Sequence, residues 1–401
     1  MNGSITPIHE RTWLDLCITD GKQQKPVANV HNALLALRND QFREAIGYDE
    51  MLCAPMIVHE PDGTPQRVAD EDIVYIQEWM QAAGLKRIGR DIVRDAVFTY
   101  AKERPYHPVR DYLDSLEWDK TKRLNTWLMS CLGCENTPYT ASVGKWFLIS
   151  MVARIYRPGC KVDTMLVLEG PQGKLKSTVC EILAGQYFSD DLPEIHVNNK
   201  DAKVHLAGKW LIEIAELHAF GKAESTQLKS FLSRRRELYR PPYGRLEVDQ
   251  PRQCVFMGTT NKDRYLIDET GGRRFWGVRC GHISIELLRH LRDQLFAEAV
   301  DAFRCAIPWW PDEGFQKKYI TPEQDDRYQG DAWEETLKTY CVDKTFVTTK
   351  ELATSGIQMP LERVNRGVEM RLAAIMRTIG WHPVRVDGIR GFRPPFRTNG
   401  G

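Results

Sequence analysis

The period of the apolar pattern changes after Pro158-Gly159, and that change limits the fold more than any other feature of the 401-residue chain. Asp163 to Glu169 (DTMLVLE) is a short apolar run that ends in a glycine-containing turn, and Ser177 to Ala184 then resumes helical spacing. Two more apolar runs, Lys209 to Ala215 and Cys254 to Thr260, are separated by polar, Arg-rich and Pro-containing stretches. Strands alternating with helices predict an α/β sheet, with the core domain over residues 135–310.

The turn, Gly170-Pro-Gln-Gly-Lys-Leu-Lys-Ser-Thr178, lies between a buried strand and a helix. A phosphate-binding loop occupies that position, because consecutive backbone N–H groups and the helix dipole both favour an anion there. The expected nucleotide contacts are Gly170, Gln172, Gly173, Lys174, Leu175, Lys176, Ser177 and Thr178. Lys176 neutralises β/γ-phosphate charge and Ser177 ligates Mg²⁺, which makes ATP and Mg²⁺ the expected cofactors. Leu175 departs from the usual pattern, which has glycine immediately before the lysine. A glycine turn capped by Ser177, with a surface lysine, is the non-functional alternative.

In Trp210-Leu-Ile-Glu-Ile-Ala-Glu216 an apolar strand carries two carboxylates toward its C-terminal end, the edge at which open α/β sheets bind ligands. Charge inside an apolar strand is costly unless it is paired or functional. Glu216, nearer the strand end, is assigned to the attacking water, with Glu213 as its partner and both as metal-site acids. Cys254 to Asn261 ends another buried strand with an amide where a γ-phosphate would lie, making Asn261 the sensor candidate. Arg273 and Arg274 follow a glycine turn and precede aromatics, a pattern suited to an arginine donated to a neighbouring subunit's nucleotide.

The remaining sequence bounds the setting. Hydrophobic and charged fractions of 42% and 27% match soluble globular proteins and exclude a disordered or fibrous chain. A net charge of +1 leaves any nucleic-acid site to local clustering of Lys and Arg. No run approaches the ~20 apolar residues of a membrane span, and the start lacks an apolar signal core, so the expected location is cytoplasmic. Cys131 and Cys134 form a CxxC without the second pair of a zinc ribbon, and the ten cysteines read as reduced. Residues 1–134 are predicted to be a mostly helical module. It includes a helical stretch from His31 to Ile46, a candidate strand from Met51 to Val58, and helices split by Gly84 and Gly89. Residues 311–401 are predicted to hold a charged helix from Glu323 to Tyr340. Two further helices and a basic stretch to Arg397 follow, fitting a small winged-helix-like module.

Beyond single motifs, HPVRDYLDSLEWD (107–119), PGCKVDTMLVLEG (158–170), WLIEIAEL (210–217), YRPPYGR (239–245), FMGTTN (256–261) and TGGRRFW (270–276) occur in order. With them the chain resembles the virulence-associated protein E (VapE/VirE) family of phages and mobile elements, within the superfamily 3 helicase-like AAA+ P-loop ATPases. The resemblance implies ATP hydrolysis between subunits of a hexameric ring, coupled to unwinding or translocating single-stranded or forked DNA in replication of a mobile element inside a bacterial host. It also sharpens the role of the basic and aromatic segment between the acidic strand and Asn261, which is expected to form a hairpin facing the pore. There Lys229, Arg240 and Arg245 track phosphates while Tyr239 or Tyr243 stacks on bases, and Arg234 to Arg236 are either part of that surface or a solvated face. No primase-like acidic strand appears upstream, so priming falls to a separate protein. The competing reading is an ATP-dependent DNA-binding switch or loading adaptor without unwinding activity.

Overall fold

The computed structural model describes residues 12–39, 41–59, 63–193, 199–217, 222–240, 247–267 and 272–395. Its N-terminal unit joins helix α1 (Val30–Asn39) to strands β1 (Ile46–Asp49), β2 (Ala54–Val58) and β3 (Pro65–Arg67). Helices α2 (Asp70–Ala82) and α3 (Arg90–Glu103) follow, and then strand β4 (Pro105–Tyr106). The strands form one sheet in the order β3-β2-β1-β4, antiparallel except for the β1–β4 pair. Helices therefore make up most of the regular structure of this unit, packed on a four-stranded sheet whose β2 is the strand expected from Met51 to Val58. The stretch from His31 to Ile46 divides into α1 and the start of β1, and Ile46, Ile57, Ile76, Val97 and Tyr100 pack into one core shared by sheet and helices.

Helices α4 (Pro108–Ser115), α5 (Trp127–Leu132) and α6 (Pro138–Tyr156) lead into the central unit. Thr137 starts α6 by accepting a hydrogen bond from the Thr140 backbone N–H at 3.1 Å, with Pro138 in the first turn, where its missing N–H costs nothing. Val109, Leu113, Trp127 and Leu128 share the core of the central sheet, so α4 and α5 pack with it, while Arg110 of α4 also pairs with Glu50 after β1 at 3.0 Å. Strand β5 (Met165–Glu169), helix α7 (Lys176–Ala184), strand β6 (Phe188–Ser189), helix α8 (Lys200–His205), strand β7 (Leu211–Ile214) and helix α9 (Lys222–Leu232) come next. They are followed by the hairpin β8 (Arg236–Tyr239) and β9 (Val248–Pro251), strands β10 (Val255–Thr260) and β11 (Phe275–Arg279), and helix α10 (Ile285–Arg304).

The central sheet runs β11-β5-β10-β7-β6 and is parallel throughout. Its two faces are both covered. Leu166, Leu168, Leu211 and Met257 point toward α6, α7 and α10, while Met165, Val167, Ile212 and Phe256 pack under α9. Burial on both faces explains why these strands read as continuous apolar runs instead of alternating ones.

Past α10 come short helices α11 (Glu313–Phe315) and α12 (Thr321–Asp326), then α13 (Glu334–Cys341), strand β12 (Val347–Thr348) and helices α14 (Thr349–Glu351) and α15 (Arg366–Thr378). Strands β13 (His382–Val386) and β14 (Ile389–Arg393) end the unit. The expected single helix from Glu323 to Tyr340 is broken between α12 and α13, where Arg327 turns inward to a buried carboxylate. The basic stretch near the C-terminus is an antiparallel hairpin in a sheet ordered β12-β14-β13, packed on α13 and α15 through Leu337, Leu372, Ile375 and Phe392. Among the described residues no helix is long and apolar enough to cross a membrane.

Candidate functional site

The loop from Gly170 to Leu175 leaves the C-terminal end of β5 and enters α7 with left-handed backbone at Gly170 (φ 151°), Gly173 (φ 78°) and Leu175 (φ 61°). Leu175 thus adopts a conformation that suits glycine, and its side chain is half exposed. It is also the N-cap of α7 and supplies no side-chain cap, so the first N–H groups of the helix keep their capacity for another acceptor. The Lys176 ammonium folds back onto the carbonyls of Gly170 at 2.7 Å and Pro171 at 2.8 Å. Desolvation lowers its pKa, opposed by the nearby Cys280 and Glu213.

Glu213 lies on β7 with 2% of its surface exposed. Its Oε1 accepts hydrogen bonds from Ser177 Oγ at 2.8 Å and from Thr259 Oγ1 at 2.7 Å. Its Oε2 is buried without a hydrogen-bond partner. The two acids of this segment separate, because β7 ends at Ile214 and the chain turns out of extended backbone before Glu216. Glu213 faces α7. Glu216 lies past the strand end, exposed and left-handed at φ 52°. Asn261 is exposed one residue beyond β10, and the register Thr260↔Glu169 brings it beside Gly170, whose N–H donates to the Thr260 carbonyl at 3.2 Å.

Arg273 and Arg274 sit at the other edge of the sheet. They form the turn before β11, whose first residue, Phe275, pairs with Met165 at the start of β5. A strand advances about 3.3 Å per residue, so Arg274 stands roughly 20 Å from Gly170 of its own chain. Its Nε donates to Ser233 Oγ at 3.0 Å, and both arginines line a cavity of about 500 Å³ with Trp309 and Trp310.

The expected β8–β9 hairpin is present, and its side chains correct part of the nucleic-acid reading. Lys229 is 7% exposed and Tyr239 8% exposed, so neither offers its head group to a ligand. Strand alternation turns Glu237 and Tyr239 inward and Arg236 and Leu238 outward. Arg234 pairs with Glu237 and lies 5.5 Å from the Phe231 ring, Arg235 donates to the Gly159 carbonyl at 2.8 Å, and Arg236 pairs with Asp249 at 2.8 Å. These three therefore hold the hairpin base. Arg240 is exposed, while Tyr243 and Arg245 lie outside the described residues.

Two features escaped the sequence reading. Thr259 is the second hydroxyl on Glu213, signalled only by a polar pair ending an apolar run. Glu169, at the end of β5 and 2% exposed, pairs with Arg327 through both carboxylate oxygens (Nη2 to Oε2 at 3.0 Å), and Tyr265 donates to it at 2.7 Å. Burial opposes the Arg327 charge, but the Glu169 carboxylate outweighs it and raises the guanidinium's pKa. Glu169, like Glu213, is a charge inside an apolar strand. The neighbouring Cys280, and then burial, raise the pKa of the Cys134 thiol. No group of three or more metal-ligating His, Cys, Asp or Glu side chains occurs among the described residues.

Residues 113–329, more than half of the chain, match the virulence-associated protein E-like domain. The chain belongs to the VapE-like family. The VapE-like region runs from α4 through Gln329 and so includes the loop, Glu213, Asn261, both arginines and the Glu169–Arg327 pair. Among solved structures, the C-terminal region of NrS-1 (305–718) aligns at 13% identity over 87% of this chain and 96% of that one, with a TM-score of 0.46. An A-form apo structure of the same region gives 12% identity, the same coverages and a TM-score of 0.45. A point mutant of RuvB from Thermotoga maritima aligns at 15% identity over 62% of this chain and 91% of that one, with a TM-score of 0.24. No curated protein matches the chain.

Proposed function

We propose that this VapE-like protein is a magnesium-dependent ATPase of the superfamily 3 helicase-like AAA+ class that works as a ring on DNA during replication of a phage or mobile element. The observation that carries the reading is the Glu213 carboxylate. It is buried beside the loop, holds the Ser177 and Thr259 hydroxyls on one oxygen, and has a second oxygen with no hydrogen-bond partner. A buried, half-satisfied carboxylate is costly unless it has a task, and a hard cation fits this donor set of hydroxyl and carboxylate oxygens. Ser177 and Glu213 would hold Mg²⁺, which when bound neutralises charge on the β- and γ-phosphate oxygens.

The protein's own groups supply the rest. The loop N–H groups and the uncapped start of α7 bind phosphate oxygens. Lys176 exchanges two carbonyl acceptors for phosphate, which favours its charged form. Asn261, beside Gly170, orients water at the γ-phosphate. Glu216 is exposed beyond the strand, so Glu213 is the better supported of the two acids, and Glu216 would have to turn inward to take part. Arg273 and Arg274 are too far from their own loop to act there, and this distance supports donation to the neighbouring subunit of a ring, which we take to be hexameric. The mixed sheet-and-helix unit at the C-terminus is consistent with a winged-helix-like module.

Steady-state ATP hydrolysis with and without single-stranded DNA, alongside solution mass, tests the reading for wild type, Lys176→Ala, Glu213→Gln and Arg274→Ala. The expected result is DNA-stimulated, Mg²⁺-dependent hydrolysis that each substitution lowers by at least about 10²-fold, as loss of a transition-state contact does. Wild-type protein that assembles and binds DNA yet hydrolyses nothing would overturn the proposal. Stimulated hydrolysis without strand separation would mark the protein as a switch or loading adaptor.

A further inference from the structure

The C-terminal unit carries a charged surface that the nucleotide site does not use. Strands β13 and β14 are joined by Asp387-Gly388, both at positive φ (47° and 81°), the two-residue turn that matches strand twist and makes a stiff hairpin. The register sets Arg385 directly opposite Arg390 and His382 opposite Arg393. Like charges facing each other across a ladder are destabilising. Both arginines are exposed, and no ion pair is formed by either among the described residues. Arg371 shows the contrast within the same unit, since Asp331 holds it through two bonds of 2.7 Å and it covers the Trp333 ring at 3.7 Å.

The helix packed behind the hairpin adds to the same charge. Arg366, Glu369, Met370 and Arg377 fall on one side of α15 at helical spacing and all four are exposed, so two cations outnumber one acid there. From Arg371 to Pro395 the chain has five arginines and a single acid, Asp387. The aromatic rings at the hairpin base, Trp381 and Phe392, are buried in the unit's core, so this surface offers no platform on which unpaired bases would stack. Thirteen helical residues span about 20 Å, and an exposed helix of that size enters a DNA major groove.

We infer that the exposed side of α15 and the β13–β14 hairpin together bind the phosphate backbone of duplex DNA. The repulsion between Arg385 and Arg390 is relieved when phosphates lie between them. This inference stands on the C-terminal unit alone and does not depend on the nucleotide site.

The test is fluorescence anisotropy of full-length protein, without nucleotide, on a labelled duplex of about two helical turns and on a single strand of the same length. Salt is varied from 50 to 200 mM, the range over which phosphate contacts are exposed by their salt dependence. The variants are Lys176→Ala, Arg385→Ala/Arg390→Ala and Arg385→Lys/Arg390→Lys. Two phosphate contacts, each scaling as salt to about the −0.9 power, predict that the alanine pair weakens duplex binding by about 60-fold at 0.1 M salt and lowers the log–log slope by about 1.8. The lysine pair should keep the slope, Lys176→Ala should bind duplex as wild type does, and the alanine pair should melt no lower than wild type. Unchanged duplex affinity and slope in the alanine pair would overturn the inference. Equal losses on duplex and single strand, or a loss accompanied by a lowered melting temperature, would do so as well. Because Lys176→Ala removes the nucleotide function and not this surface, failure of the ATPase reading leaves a separate, readable result here.

Discussion

The Glu169–Arg327 pair makes a quantitative prediction about how Arg327, beyond α12, is tied to the strand end that leads into the Gly170–Leu175 loop. Arg327→Met removes a guanidinium that reaches both oxygens of Glu169 and also Glu323, leaving the Glu169 carboxylate with the Tyr265 hydroxyl as its remaining partner. Both members of the pair are almost fully buried, so solvent screening does little to soften the loss. Breaking a buried pair by removing one partner costs about 3–5 kcal/mol. For a unit of this size each kcal/mol moves the melting temperature by about 2–4 °C, giving a drop of roughly 6–20 °C. The double substitution Glu169→Gln/Arg327→Met deletes the orphaned charge, and the amide oxygen it introduces still accepts from the Tyr265 hydroxyl. It should recover at least about 2 kcal/mol relative to the sum of the single changes. Urea denaturation of the four proteins at neutral pH measures the cycle, and ATP binding should fall with Arg327→Met because Glu169 directly precedes Gly170. An Arg327→Met cost below about 1 kcal/mol, or a double variant as unstable as the singles added together, would mean that Glu169 and Arg327 are not coupled as a buried ion pair.

Other expectations follow from single positions. Mixing inactive Lys176→Ala and Arg274→Ala subunits should restore part of the hydrolysis by creating some intact interfaces; mixed rings that stay inactive would count against an arginine acting between subunits. Leu175→Gly should be more stable than Leu175→Ala by about 0.5–1 kcal/mol, since both lose the side chain but glycine alone releases about 1–2 kcal/mol of left-handed strain, less its own entropy cost. Equal urea midpoints would remove that strain from the account. Burial pushes the His107 pKa below its usual 6.5, while its bond to Gln253 opposes the shift. Its Nδ1 accepts the Arg110 backbone N–H at 3.2 Å, which requires the neutral ring. The unfolded chain therefore takes up the proton first. Stability should fall as pH drops below about 6.5 toward the lowered folded value, with a slope of at most about 1.4 kcal/mol per pH unit. Asparagine keeps the helix-capping role, so His107→Asn should flatten that slope in urea melts between pH 7 and 5, and an unchanged slope would assign the effect elsewhere.

Local pattern determined a large part of this protein. The strand, glycine turn and helix from Asp163 to Ala184, the acid-bearing strand at Glu213, the β8–β9 hairpin and the helices flanking Gly84 and Gly89 are all present, because period and turn chemistry act over a few residues. The VapE-like resemblance was also legible, since its motifs are short and ordered. Tertiary structure decided which groups meet. Glu213 finds Thr259 across 46 positions of sequence, and Glu169 finds Arg327 across 158, distances over which no local periodicity operates. Packing buried Lys229 on α9 and Tyr239 on β8, and strand direction set Arg273 and Arg274 at the edge opposite the Gly170–Leu175 loop of their own chain. Of the N-terminal sheet only β2 was legible, as the strand expected from Met51 to Val58, and the rest was hidden for a related reason. Its strands are only two to five residues long, and two edge strands were recognisable only once β1 and β2 gave them a partner. Leu175 stands between the two kinds of knowledge. Its departure from glycine was plain in the sequence, but only the folded loop revealed that the leucine adopts the left-handed backbone a glycine would have taken.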